Sequence, residues 1–212
     1  MTKEQEIVYN ASKVESWKIS GVSHRDETGT YEVIGEMTPL MTQDALAEKY
    51  GIGIPSMPLI WAIATKTHEL KDQNPKDSEK LRVFLQNGLG SYPNTSTRII
   101  YNHSGKDKII HNYKTSDQYS LDGKVVGPND WINEILDENI LEKLLGTSNI
   151  KQINKVSQWI NGIDMRLWRI NSNPKTKIEK AARFSGGGYW LSLYCDRDPL
   201  STGPAFLVLK VD

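Results

Sequence analysis

Residues 190–196 alternate in a way that predicts a β-strand with one buried face. The apolar set is Leu191, Leu193 and Cys195, and the polar or aromatic set is Trp190, Ser192, Tyr194 and Asp196. Successive side chains of a strand point to opposite faces, so we expect the first set in the core and the second toward solvent. Rigid aromatic rings beside small polar groups are typical of binding surfaces.

A second apolar run follows at residues 205–209, after a turn at 198–204 that contains two prolines and a glycine. An unbroken apolar run of this length favours a strand that is covered on both faces. We therefore predict that residues 189–211 form a terminal β-hairpin, which holds the mixed face of its first strand toward a ligand.

Composition excludes several classes of protein. The chain of 212 residues has 26 basic and 26 acidic side chains, so no overall field attracts nucleic acid or an anionic membrane. The single cysteine, Cys195, excludes an internal disulfide and a multi-cysteine zinc site. Residues 1–20 contain no continuous apolar stretch, so no signal peptide is predicted, and no apolar run is long enough to cross a bilayer. We expect a soluble protein without membrane insertion, with virion and cytoplasmic locations both left open.

Periodicity predicts strands early in the chain, helices in the middle and a mixed remainder. Strands are expected at 6–9, 14–19, 31–37, 98–103, 108–113 and 163–170. Helices are expected at 43–50 with Thr42 as cap and Gly51 as stop, from Pro58 onward, from 77 or 78 to 87 with Gly88 as stop, at 128–137 and 138–145, and from Asn149 to near Gly162. Segments 88–97 and 171–180 look like connections. This order predicts a single α+β domain over residues 1–212.

Signatures of catalysis and of metal binding are weak. The run Gly186-Gly187-Gly188 resembles a phosphate cradle, but no helix follows it, so a flexible or bulged strand entry is the better interpretation. Cys195 falls on the apolar side of its strand, where a thiol is usually inert. His103 and His111 lie on one predicted hairpin but do not face each other. We predict no catalytic residue, no metal ligand and no cofactor.

Short motifs in the last quarter of the chain resemble a known family. They are Leu167-Trp168-Arg169-Ile170-Asn171, Asn173-Pro174-Lys175, Ala182-Arg183-Phe184, and a framework of Leu193, Cys195, Pro199-Leu200, Pro204-Ala205-Phe206 and Val208. Together they resemble the C-terminal part of the variable proteins of diversity-generating retroelements, particularly archaeal and viral ones. The resemblance implies a C-type lectin-like fold with a hypervariable region at 182–212, which is rewritten at adenine-bearing codons and presents a ligand-binding surface. Such proteins are receptors and not enzymes.

Carried onto this chain, the resemblance places the variable positions between the framework residues. They are Ser185, Gly187, Gly188, Tyr189, Trp190, Ser192, Tyr194, Asp196, Asp198, Ser201, Thr202 and Gly203. The predicted ligand-binding residues, from the strand pattern and the resemblance together, are Ser185, Tyr189, Trp190, Ser192, Tyr194, Asp196, Arg197, Asp198, Ser201 and Thr202.

The predicted partner is a protein or another macromolecule, and not a nucleic acid. Trp190 and Tyr194 would act as hydrophobic anchors, and the charges at 196–198 would set complementarity. Two alternatives stay open, a small enzyme with an unrecognised site and a structural subunit of a virion or complex.

Overall fold

The computed structural model of the chain describes residues 6–11, 14–125, 130–134, 139–168, 174–187 and 190–211. Its helices are α1 (Gln43–Tyr50), α2 (Met57–Glu69), α3 (Pro75–Gly90), α4 (Asn139–Leu145) and α5 (Ile150–Asn161). Its strands are β1 (Ile7–Asn10), β2 (Ser16–His24), β3 (Glu27–Ile34), β4 (Asn94–Tyr101), β5 (Asp107–His111), β6 (Tyr119–Gly123), β7 (Asp130–Trp131), β8 (Met165–Trp168), β9 (Ile178–Gly187), β10 (Trp190–Arg197) and β11 (Leu207–Lys210). The α+β class predicted from the sequence is confirmed.

The first sheet is antiparallel, with strand order β1-β2-β3-β11. Strand β11 lies at its edge and pairs with β3, with Val208 opposite Val33. The predicted terminal hairpin is therefore wrong, because β10 lies in the other sheet. The segment between β10 and β11 bonds to other parts of the chain instead. Gly203 and Met41 exchange two backbone hydrogen bonds of 3.0 Å, and the Asn94 amide donates to Pro204 at 2.7 Å.

The second sheet runs β6-β5-β4-β9-β10-β8, with the two-residue β7 beyond β8. It is mixed, since β10 pairs parallel with β8 and antiparallel with β9. The central position of β9 was not predicted, because segment 171–180 was interpreted as a connection. Residues Ala181 to Gly186 of β9 are all buried, and their sequence has no polar–apolar alternation to detect.

Helix ends that depend on local chemistry lie where the sequence predicts them. The Thr42 hydroxyl accepts a hydrogen bond from the Ala45 amide at the start of α1, and Gly51 follows its last residue with a positive φ of 55°. The Asn149 side chain caps α5, which ends at Gly162 in the left-handed conformation.

The predicted limits of α3 are wrong at both ends. The helix begins with Pro75 after Asn74 and continues to Gly90, so Gly88 lies inside it. A Cβ atom on Gly88 would lie 2.4 Å from two ring atoms of Phe206, so this glycine serves a close contact and not a helix stop. The predicted loop at 88–97 is correspondingly shorter, since β4 begins at Asn94.

The hairpin of β4 and β5 is confirmed, but its register differs from a symmetric turn at 104–107. Ile100 lies opposite Lys108, and His103 lies beyond the paired residues. The His111 ring is buried, whereas His103 Nδ1 is 2.9 Å from the carbonyl oxygen of Pro174. The two rings therefore have separate surroundings.

The predicted helix at 138–145 corresponds to α4. The predicted helix at 128–137 is wrong where the structure describes it, because β7 and a 3-10 turn occupy residues 130–134. Residues 128–129 and 135–137 of that prediction lie outside the described residues.

One hydrophobic cluster includes buried residues of both sheets and of α2. Trp61 of α2 stacks against Phe184 of β9, with ring centroids 6.3 Å apart. The predicted inward set of β10, residues 191, 193 and 195, is fully buried in this cluster. Among the described residues, the helices lack the length and apolar composition needed to span a bilayer.

Candidate ligand-binding face

Strands β8, β10 and β9 lie side by side and present one continuous surface. Register places Ser192 between Arg166 of β8 and Ser185 of β9. In the next row Tyr194 lies between Trp168 and Arg183, and Trp190 lies opposite Gly187. Directly paired residues point to the same side of a sheet. We call this surface the display face, defined by the side chains of Arg166, Trp168, Arg183, Ser185, Trp190, Ser192 and Tyr194.

An open cavity of about 370 Å³ lies on the display face. It is lined by Arg166, Trp168, Ser185, Trp190, Ser192 and Tyr194. Four of these residues are among those predicted from the sequence to bind a ligand. The structure therefore brings Ser185, Trp190, Ser192 and Tyr194 together around one cavity.

The expectation that Ser192 is exposed is wrong. Its side chain points to the predicted side of β10, but the residue is only 1% exposed. The larger Trp190 and Tyr194 flank it along β10 and Arg166 lies beside it on β8, so the small serine forms the floor of the cavity. The Ser192 hydroxyl has no hydrogen-bond partner among the described residues. Ser185, on the neighbouring strand, is also buried.

Trp168 and Trp190 are the exposed aromatic residues of the display face, with 42% and 39% of their surface accessible. Trp190 covers the backbone of Gly187, where an added Cβ would lie 3.1 Å from Cζ2 of the indole ring. The glycine therefore allows the ring to lie close to β9. An exposed aromatic pair beside a cavity is a common feature of contact sites.

Two arginines give the display face a positive charge. The Arg166 guanidinium lies 3.8 Å from the ring centroid of Trp131. Arg183 lies 5.0 Å from the Tyr194 ring and 5.1 Å from the Tyr92 ring. Among the described residues, neither arginine has a carboxylate partner, and the Nε atom of each is buried without a hydrogen bond. Burial, and then Arg197, lower the pKa of Arg183, but a guanidinium remains charged at neutral pH.

The remaining predicted residues lie at the end of β10 and in the turn after it. Asp196 pairs with Lys180 at 3.1 Å. Arg197 donates to the carbonyl of Thr202 at 3.3 Å, and Asp198 accepts from the backbone amide of Leu200 at 2.9 Å. These polar groups shape the turn and do not line the cavity.

Ser201 is half-buried in the same turn, and Thr202 is exposed. The predicted variable position Gly203 is buried, because its backbone pairs with Met41. Tyr189 and Gly188 lie outside the described residues.

Sequence reasoning missed Arg166, Trp168 and Arg183 as parts of the site. A signal for them exists, because Arg166 and Trp168 alternate with the buried residues Met165 and Leu167. That pattern is the same as in β10, but only the register of the folded sheet shows that the two strands are neighbours.

Comparison with known proteins found no matching family model, no matching curated protein and no matching solved structure. A function for the chain can therefore be inferred only from the chemistry and positions of its own residues.

Proposed function

We propose that this chain is a receptor-type binding protein whose display face binds a macromolecular partner without catalysing a reaction. We further propose that the fold is C-type lectin-like and that residues 182–212 form a diversified region. The main support for the proposal is that the two faces of β10 differ in their surroundings. Residues 191, 193 and 195 are fully buried in the core, while Trp190, Ser192 and Tyr194 line the cavity on the other side.

This division lets the binding residues change without disturbing the core. The proposed framework residues Leu167, Ala182, Phe184, Leu193 and Cys195 are each fully buried. Ala205, Phe206 and Val208 are buried as well, whereas the framework residue Leu200 is 80% exposed. Most of the described variable positions lie on the display face or in the turn at 198–202, where Ser185 and Ser192 are buried and the others are at least partly exposed. A buried framework with replaceable surface positions between its residues is the arrangement that a diversified receptor requires.

Paired substitutions on β10 test this tolerance. Trp190→Ser and Tyr194→Ser remove rings that are partly exposed and lie outside the core, so we expect each to lower the free energy of unfolding by about 1–2 kcal/mol. Leu193→Ser is the matched control on the same strand. It leaves a cavity and a buried hydroxyl in the core, so we expect a loss of more than about 3 kcal/mol. Urea unfolding measures all three, and similar losses for the three variants would contradict the proposal.

The encoding DNA gives an independent test. A diversified receptor requires a template repeat near a reverse transcriptase gene, nearly identical to the segment that encodes residues 182–212. Differences confined to adenines of the template would support the proposal. A locus without a reverse transcriptase and without a repeat would refute the diversification, while binding by the display face would then be judged by the variants alone.

A further inference from the structure

The cavity on the display face combines a positive charge with unpaired hydrogen-bond donors. Its lining includes Arg166, whose guanidinium lies over the Trp131 ring, and it includes no aspartate or glutamate. The nearest acidic residues along the chain have other partners. Asp164, two residues before Arg166, accepts hydrogen bonds from Gln158 and Asn133, while Asp196 pairs with Lys180 and Asp198 caps the turn after β10. The cavity therefore carries a net positive charge that the described residues do not neutralise.

Two residues that line the cavity have polar groups that the protein itself leaves unsatisfied. The Ser192 hydroxyl and the Arg166 Nε are both buried and have no hydrogen-bond partner among the described residues. A buried polar group without a partner costs about 1–3 kcal/mol. A purely apolar ligand would keep both groups unsatisfied, whereas an anionic acceptor would satisfy them.

The geometry favours a carboxylate over a phosphate. A carboxylate can accept two parallel hydrogen bonds from one guanidinium and a further bond from a hydroxyl. A phosphate monoester carries close to two negative charges at neutral pH, and the cavity lining supplies one cation. The aromatic walls of Trp168, Trp190 and Tyr194 suit the apolar atoms around an acidic side chain.

We infer that this cavity receives an aspartate or glutamate side chain from an acidic segment of a partner protein, with Arg166 and Ser192 as the residues that bind its carboxylate. The inference rests on the proposed function, because it names the chemistry recognised by the same face. Arg166 comes from β8, outside the diversified region. It therefore provides a constant anion contact beside positions that vary.

A random peptide library displayed on phage, selected against the full chain, tests the inference. We expect the selected peptides to share an acidic position, and replacing that residue by its amide to weaken binding at least about tenfold, as loss of a charged hydrogen bond predicts. Arg166→Gln should weaken binding of the same peptides by a similar factor, and Arg166→Lys by less. Arg25→Gln, on the turn between β2 and β3, changes the net charge equally and should leave the affinity unchanged.

Each other outcome overturns the inference in a distinguishable way. Selected peptides without an acidic position, or equal affinities for the Arg166→Gln and Arg25→Gln variants, would refute the carboxylate pocket. If Trp190→Ser still abolished binding, the proposed binding face would stand. Peptides insensitive to both Trp190→Ser and Arg166→Gln would refute the proposed function as well.

Competition with small anions gives a further test. If inorganic phosphate displaces the peptide at a much lower concentration than acetate does, the pocket is assigned to phosphate. A library without binders would count against both proposals. Circular dichroism of each variant establishes that it is folded.

Discussion

Acidification should destabilise the protein through His111, which is buried as a neutral ring. Its Nε2 is 2.8 Å from the carbonyl oxygen of Lys143, and its Nδ1 is 2.9 Å from the Thr97 hydroxyl. A carbonyl only accepts, so Nε2 carries the hydrogen and Nδ1 accepts from Thr97. The Thr97 oxygen in turn accepts from the Met57 amide at 3.0 Å, which leaves its own hydrogen free for Nδ1. A proton on Nδ1 would break this chain of bonds.

Burial lowers the pKa of His111 to about 4. The ordinary pKa of histidine in an unfolded chain is about 6.5, so as pH falls the unfolded state binds this proton first. The stability that depends on neutral His111 is complete above pH 6.5 and is lost as pH falls from there toward 4. From these two pKa values the loss at pH 5 is about 2 kcal/mol.

Urea unfolding of the wild type and of a His111→Gln variant, each at pH 8 and pH 5, measures this effect. We expect the variant to be less stable than the wild type at pH 8, because a glutamine side chain does not replace both the packing and the two hydrogen bonds of the imidazole ring. Between the two pH values, however, the wild type should lose about 2 kcal/mol more than the variant. Burial also lowers the pKa of His24 to about 4, but His24 and the carboxylates titrate in both proteins, so the difference between the proteins reports His111 and its interaction with His24. Equal losses in the two proteins would refute the reasoning.

Further substitutions test the packing of the fold. Gly88→Ala places a methyl group 2.4 Å from the Phe206 ring and should cost about 1–3 kcal/mol. Gly90→Ala, in the same helix, brings its methyl group only to 3.9 Å from the carbonyl oxygen of Gly186, so it should change the free energy of unfolding by less than about 1 kcal/mol. Thermal unfolding measures both variants, and a larger loss for Gly90→Ala would contradict this account. Gln43 is buried and donates to two backbone carbonyls while accepting from Arg98, so Gln43→Ala should lower the free energy of unfolding by about 2–4 kcal/mol, and a loss below 1 kcal/mol in urea would show that the network is dispensable.

Features set by neighbouring residues were predictable from the sequence. The cap at Thr42, the stop at Gly51 and the inward positions of residues 191, 193 and 195 depend on a few adjacent side chains, and all three are confirmed. The exposure expected for Ser192 is not, because larger neighbours cover it. The inward position of Cys195 follows from the same alternation.

Features set by distant contacts were not predictable in this way. Gly88 looks like a helix stop until the ring of Phe206 is known to occupy the space beside it. Strand pairing has the same difficulty. The apolar run at 205–209 predicts a strand covered on both faces, but β11 is an edge strand paired with β3, with Val208 buried and Leu209 47% exposed. The contribution of Arg166 to the cavity depends on the pairing of β8 with β10.

The pairing of β3 with β11 also orders events on the ribosome. Residues 27–34 of β3 are synthesised early, but the partner of its outer edge, residues 207–210, is synthesised late. Until then this edge has no partner in the native pairing, and an unpaired strand edge is a template for pairing with other chains. The first sheet is thus completed only after β8, β9 and β10 have been translated.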